Sequence, residues 1–105
     1  MGEGFRSDRT HPMFVSLAIH RPKPGAEPGL IEAMHRFGAA AHGAPGLQCI
    51  HTLQAADDGV LVGLAIWETE EAFHSARVKM RAAIADVDFT ALEDSGPDFY
   101  LLVEV

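Results

Sequence analysis

Val60–Trp67 (VLVGLAIW) runs directly into Glu68-Thr69-Glu70-Glu71-Ala72-Phe73, and this junction decides the fold. The uncharged run is apolar at odd and even positions alike, which predicts a strand with two apolar faces. Val60, Val62, Leu64 and Ile66 lie on one face, and Leu61, Gly63, Ala65 and Trp67 on the other. Thr69 then offers a side-chain oxygen to cap a helix, and Glu70 and Glu71 suit the positive end of its dipole. Phe73, Ala76, Met80, Ala83, Ile84 and Val87 recur at helical spacing and predict the buried stripe of that helix.

Upstream, Asp57-Asp58-Gly59 supplies the turn residues of a hairpin. Its other arm, Leu47–Leu53, alternates. Leu47, Cys49, His51 and Leu53 share one predicted face, and Gln48, Ile50, Thr52 and Gln54 the other. Gly43 and Pro45-Gly46 end a helix predicted over Gly29–His42, with Leu30, Met34, Phe37 and Ala41 as its stripe. Pro28 is tolerated at its start, because first-turn N–H groups have no intrahelical acceptor. Arg21–Pro28 carries three prolines and a glycine and reads as a connection. Before it, Met13–His20 is a second strand that is apolar on both sides: Phe14, Ser16 and Ala18 oppose Met13, Val15, Leu17 and Ile19. Met1–Pro12 is polar and without period, a tail preceding one domain over residues 13–105. Downstream, Asp88–Asp98 reads as a loop whose Phe89 and Leu92 tuck against the core, and Phe99–Val105 as the last strand.

The order strand, helix, strand, strand, helix, strand predicts an α+β, ferredoxin-like βαββαβ domain. In such a domain a four-stranded antiparallel sheet carries two helices on one face. Two helices cover one face and no more, yet the first and third strands are apolar on both. Such a patch exceeds what monomers normally expose to water. A homodimer, with a second copy packed face to face about a two-fold axis, is the expected remedy. The alternative is that Asp88–Val105 folds beneath the sheet and covers it alone.

Composition narrows the function classes. The 105 residues make room for one domain, and 48% hydrophobic with 22% charged residues is a globular composition. With 8 basic and 15 acidic side chains the net charge is −7, which repels a phosphate polyanion and argues against nucleic-acid binding. Cys49 is alone, so neither an intrachain disulfide nor a multi-cysteine metal site is available. The apolar runs are far too short for a membrane span, and Met1–Pro12 lacks the apolar stretch of a signal peptide. The expected setting is the cytoplasm, with no membrane contact.

Lys23-Pro24-Gly25, Ala44-Pro45-Gly46-Leu47 and above all Ala65-Ile66-Trp67-Glu68-Thr69-Glu70-Glu71-Ala72-Phe73 carry a family likeness. The chain resembles the antibiotic biosynthesis monooxygenase family, dimeric α+β barrels, over Met13 to Val105. The resemblance implies a homodimer and an apolar pocket for an aromatic or quinonoid small molecule. The family includes cofactor-independent oxygenases, haem-degrading enzymes and many members without an assigned reaction. The departures are specific. The chain has no asparagine, and Gly63 stands where the quinone-forming oxygenases have one, four residues before Trp67. The haem-degrading branch needs an asparagine on the first strand and a histidine late in the second helix, and neither is present. Trp67 alone transfers.

Cofactor-free oxygenation needs an apolar pocket and a group that takes the substrate's proton. Neutral imidazole is the natural base. His51, in the middle of the second strand, and His20, at the end of the first, are the catalytic candidates; each has the alternative of a structural or solvated histidine. Trp67, Gly63 and Phe73 are the expected ligand wall, the space beside Gly63 being either a cavity or room for a helix to approach. Tyr100 is a further ligand contact and proton donor. Arg77 reads as solvated, with the alternative of receiving an acidic substrate. His35 and His42, seven residues apart on one helix, are too far apart to share a metal ion. Cys49 reads as an inert thiol. The expected function is that of a small cofactor-independent monooxygenase-like enzyme. The alternative is a non-catalytic protein of the same fold that holds a small ligand or haem.

Overall fold

The computed structural model describes residues 12–105, so the expected tail lies outside them but for Pro12. The elements follow in the expected order: β1 (Phe14–His20), α1 (Glu27–Ala40), β2 (Leu47–Gln54), β3 (Leu61–Trp67), α2 (Glu70–Ala82) and β4 (Asp98–Val103). The four strands form one antiparallel sheet in the order β2-β3-β1-β4. Both helices lie on one face of it, the side of Trp67, Ala65 and Phe14. Among the described residues no helix is long and apolar enough to cross a membrane.

Helix α1 starts two residues earlier than the periodicity predicts and ends two earlier. Its first intrahelical bond runs from Leu30 N–H to the Ala26 carbonyl, so Pro28 sits where no N–H is required. At the other end Ala41 and His42 bond three residues back, and Gly43 leaves the helix at φ +80°. Helix α2 is capped as expected: the Thr69 hydroxyl accepts from Ala72 N–H at 3.1 Å. Phe73, Ala76 and Met80 are buried beneath it.

Two glycines position the layers. Gly46, at φ +85°, passes so close to α2 that a Cβ there would lie 2.6 Å from the Ala72 Cβ. Gly46→Ala combines a left-handed backbone with overpacking, and should lower stability by about 2–4 kcal/mol. An unchanged urea midpoint would refute this account. At Gly63 a Cβ would meet the Met34 methyl at 3.5 Å. The space beside Gly63 is thus room for α1 to approach.

One register feature departs from simple alternation. Leu47 pairs with Trp67 and Cys49 with Ile66, so Gln48 is an extra residue in β2. The bulge turns Leu47 to the helix side, where it packs on the Trp67 cluster, while Cys49, His51 and Leu53 keep the opposite face. The reading that grouped Leu47 with those three is corrected accordingly. Beyond α2, the Asp88 carboxylate accepts from the Thr90 backbone N–H and hydroxyl. These bonds, the Thr90 hydroxyl foremost, hold its carboxyl below the usual range. The turn it caps, Phe89–Ala91, places Phe89 and Leu92 on Leu30, Met34 and Leu61.

That segment therefore packs on the helix side and continues into edge strand β4; it does not fold beneath the sheet. The face opposite the helices is left without cover among the described residues. Val15, Leu17, Ile19, Val62, Leu64 and Ile66 form its middle, and none of them is buried.

Candidate functional site

The polar groups enclosed by the protein lie on the helix side. Strand β1 presents Phe14, Ser16, Ala18 and His20 there in succession, paired with Trp67, Ala65, Gly63 and Leu61 of β3. Trp67 is wholly buried, and its indole N–H donates to the Ser16 hydroxyl at 3.1 Å. That bond meets the need of a buried indole for a polar partner. Phe73 sits edge-on to Trp67 with ring centroids 5.8 Å apart, and 5.9 Å from Phe14.

At the other end of β1, His20 meets Glu93. The two side chains are 12% and 2% exposed, with Nδ1 3.1 Å from Oε1. In the tautomer that carries its proton on Nδ1, that nitrogen donates to the carboxylate and Nε2 is left with the lone pair. Nε2 has no hydrogen-bond partner among the described residues. Glu93 is held by its backbone: its N–H donates to Phe89, it bridges to Pro22, and Lys23 N–H donates to the neighbouring Leu92 carbonyl at 2.8 Å. Its second oxygen, Oε2, is buried with no partner. An unpaired buried acceptor is costly. This pair has the parts of an oriented general base: an imidazole, a carboxylate that fixes its tautomer, and an unpaired Nε2.

The sheet separates the two histidine candidates. His51 is exposed on the uncovered face, opposite Leu64. Leu64 pairs with Leu17, and Leu17 with Tyr100, so His51-Leu64-Leu17-Tyr100 forms one row across that face. Trp67, Phe73, Gly63 and His20 share the helix side; His51 and Tyr100 share the other. Glu93 was missed by sequence reasoning. The only local hint is its place next to Leu92, whose tucking carries it inward.

Helices α1 and α2 leave part of their own side open. Phe99, Leu101 and Val103 of β4 point to the helix side, alongside Ala18, Ser16 and Phe14, yet stay 51%, 41% and 56% exposed. Phe73 touches this shelf, its ring 6.2 Å from that of Phe99, and the Arg77 guanidinium lies 5.7 Å from the Phe73 centroid. Elsewhere open depressions mark the surface of the described residues. One of about 540 Å³ lies between His42, Pro45, Thr69, Ser75 and Lys79; one of about 590 Å³ lies between Arg21, Lys23, Glu27, Asp58 and Val60. Neither includes His20, His51 or Trp67. Among the described residues no three His, Cys, Asp or Glu side chains gather closely enough to hold a metal ion.

No family model matches the sequence, and no curated protein is similar enough to match it. Solved structures do match. A candidate antibiotic biosynthesis monooxygenase from Chloroflexus aurantiacus superposes with a TM-score of 0.67 at 20% identity, over 89% of this chain and 93% of that one. A similar candidate from Caulobacter crescentus gives 0.67 at 15% identity, over 90% and 92%. A conserved protein from Methanosarcina mazei gives 0.78 at 10% identity, over 92% and 97%. The chain has the βαββαβ fold of these proteins over nearly its whole length. Likeness at such identities speaks to fold and not to reaction.

Proposed function

We propose that the chain is a small, cofactor-independent monooxygenase-like enzyme acting on an aromatic or quinonoid molecule. His20 is its general base, Glu93 orients that base, and a homodimer is the working unit. The observation that carries the reading is the His20–Glu93 pair, an enclosed imidazole with one nitrogen engaged by a carboxylate and the other unpaired. His20 is preferred to His51 because a carboxylate engages its Nδ1, whereas His51 stands exposed on the uncovered face. In this scheme Nε2 takes a proton from an electron-rich phenol, and the resulting carbanion reacts with dioxygen directly. The hydroperoxide so formed loses water: one oxygen atom stays as a ring carbonyl, the other leaves as water, and the substrate supplies both hydrogens and all the electrons as it passes to the quinone. The monooxygenase candidates among the structural neighbours support the reaction class.

The uncovered apolar face supports the dimer. His51 and Tyr100 end its central row on the two edge strands, so that row is apolar in the middle and polar at both ends. Oxygen consumption by the purified protein with a 1,4- or 1,5-dihydroxynaphthalene, in the presence of a chelator, tests the activity. Uptake well above the uncatalysed rate, with a quinone product, is the expected result. No uptake with any dihydroxyaromatic, together with a Soret band after incubation with haem, would replace the enzyme with a haem-binding protein.

A further inference from the structure

We infer that the shelf between α2 and β4 is a binding site for a small aromatic acid, with Arg77 as the anchor for its carboxylate. This rests on the His20 reading above for the reaction that follows, but not for the binding itself. Three observations meet here. Phe99, Leu101 and Val103 form an apolar floor on the helix side of β4, outside the cover of either helix and on the opposite side of the sheet from the proposed dimer face. Arg77 is half-buried beside it and held over the Phe73 ring, which in turn touches Phe99. Its guanidinium makes no ion pair or hydrogen bond among the described residues, whereas Arg21 has Asp98 and Arg36 has Asp86.

A cation with no carboxylate partner among the described residues, held on the buried Phe73 ring that adjoins exposed Phe99, is complementary to a ligand with an apolar body and one negative group. The direction of the chain adds the rest. Strand β3 ends at Trp67, beside Phe14, and α2 returns antiparallel from there toward the Leu61 end of the sheet, where His20 lies. Arg77 is one turn along that return from Phe73. An aryl carboxylic acid lying on the shelf would set its acid at Arg77 and its aromatic body on Phe99 and Leu101.

Calorimetric titration with 2-naphthoate and with neutral, isosteric 2-naphthamide tests this. The wild-type protein should bind the acid about tenfold more tightly than the amide. Arg77→Gln should erase that preference while leaving the amide affinity within twofold, and Arg77→Lys should restore part of it. Methyl and aromatic NMR shifts induced by naphthoate should fall on Phe73, Phe99, Leu101 and Val103. No binding of naphthoate, an acid preference unchanged in Arg77→Gln, or shifts confined to Val62, Leu64 and Ile66 would each overturn the proposal. So would shifts at β4 that follow protein concentration instead of naphthoate, since a second copy would then occupy the shelf. His20→Gln should bind naphthoate as the wild type does. Naphthoate binding through Arg77 with no oxygen uptake would keep this site and discard the oxygenase; uptake without an Arg77-dependent acid preference would do the reverse.

Discussion

Leu64→Glu should convert the protein from dimer to monomer at micromolar concentration. Leu64 and Leu17 occupy the middle of the row that His51 and Tyr100 terminate, the part of the uncovered face farthest from either sheet edge. A two-fold dimer closing on this face buries the new carboxylate twice, each time among aliphatic side chains, with the cross-strand imidazole of His51 as its nearest polar neighbour. One uncompensated buried charge costs about 3–5 kcal/mol, so the dissociation constant should rise at least about a thousandfold. The fold should survive, because the side chains beneath α1 and α2 lie on the other side of the sheet. Far-ultraviolet circular dichroism should keep its helical signal while sedimentation reports half the mass. Val78→Glu, on the exposed side of α2, is the matched control and should stay dimeric. A wild-type protein that sediments as a monomer and binds no hydrophobic dye would end the dimer reading, as would a Leu64→Glu variant that remains a dimer.

His20→Gln should lower the oxygenation rate by about two to four powers of ten, the range over which a positioned general base contributes. Glutamine retains a polar group of similar reach toward Glu93 but cannot take a proton at Nε2. The loss should therefore appear in kcat, with KM within a fewfold. Glu93→Gln is the more informative partner variant. It preserves shape, and the amide can still accept from Nδ1–H, but it removes the charge that stabilises an imidazolium. An intermediate loss, again in kcat, is expected. The double variant should be no slower than His20→Gln alone, because Glu93 acts through His20. Should His51→Gln abolish turnover while His20→Gln leaves it intact, the base lies on the other face of the sheet and the assignment is wrong.

Much of this architecture is written locally. Apolar residues at both parities in Val60–Trp67 and Met13–His20 declare strands with two apolar faces, and Thr69 with the Phe73, Ala76, Met80 stripe declares the second helix. Such signals survive because side-chain periodicity within one element is a local property. The order of those elements then admits few topologies, which is why the sheet and the uncovered face are legible in the sequence itself. The bulge at Gln48 was not legible, because one extra residue in a strand shows only against its neighbour: Trp67 takes Leu47, and Ile66 takes Cys49. Nor was the separation of His51 from His20, since period-two alternation assigns faces within a strand but does not say which face the helices will cover.

The candidate site lay beyond the sequence for the same reason. His20 and Glu93 are 73 residues apart, and their meeting depends on an Asp88-capped turn, on Leu92 docking against Leu30 and Leu61, and on a single bridge at Pro22. Trp67 was conspicuous in the sequence, but only the packed structure gave its indole the Ser16 hydroxyl and enclosed it completely. Sequence alone determined the elements and their apolar faces, because those follow from neighbours along the chain. Tertiary structure alone decided which polar atoms meet, because that depends on where distant loops come to rest.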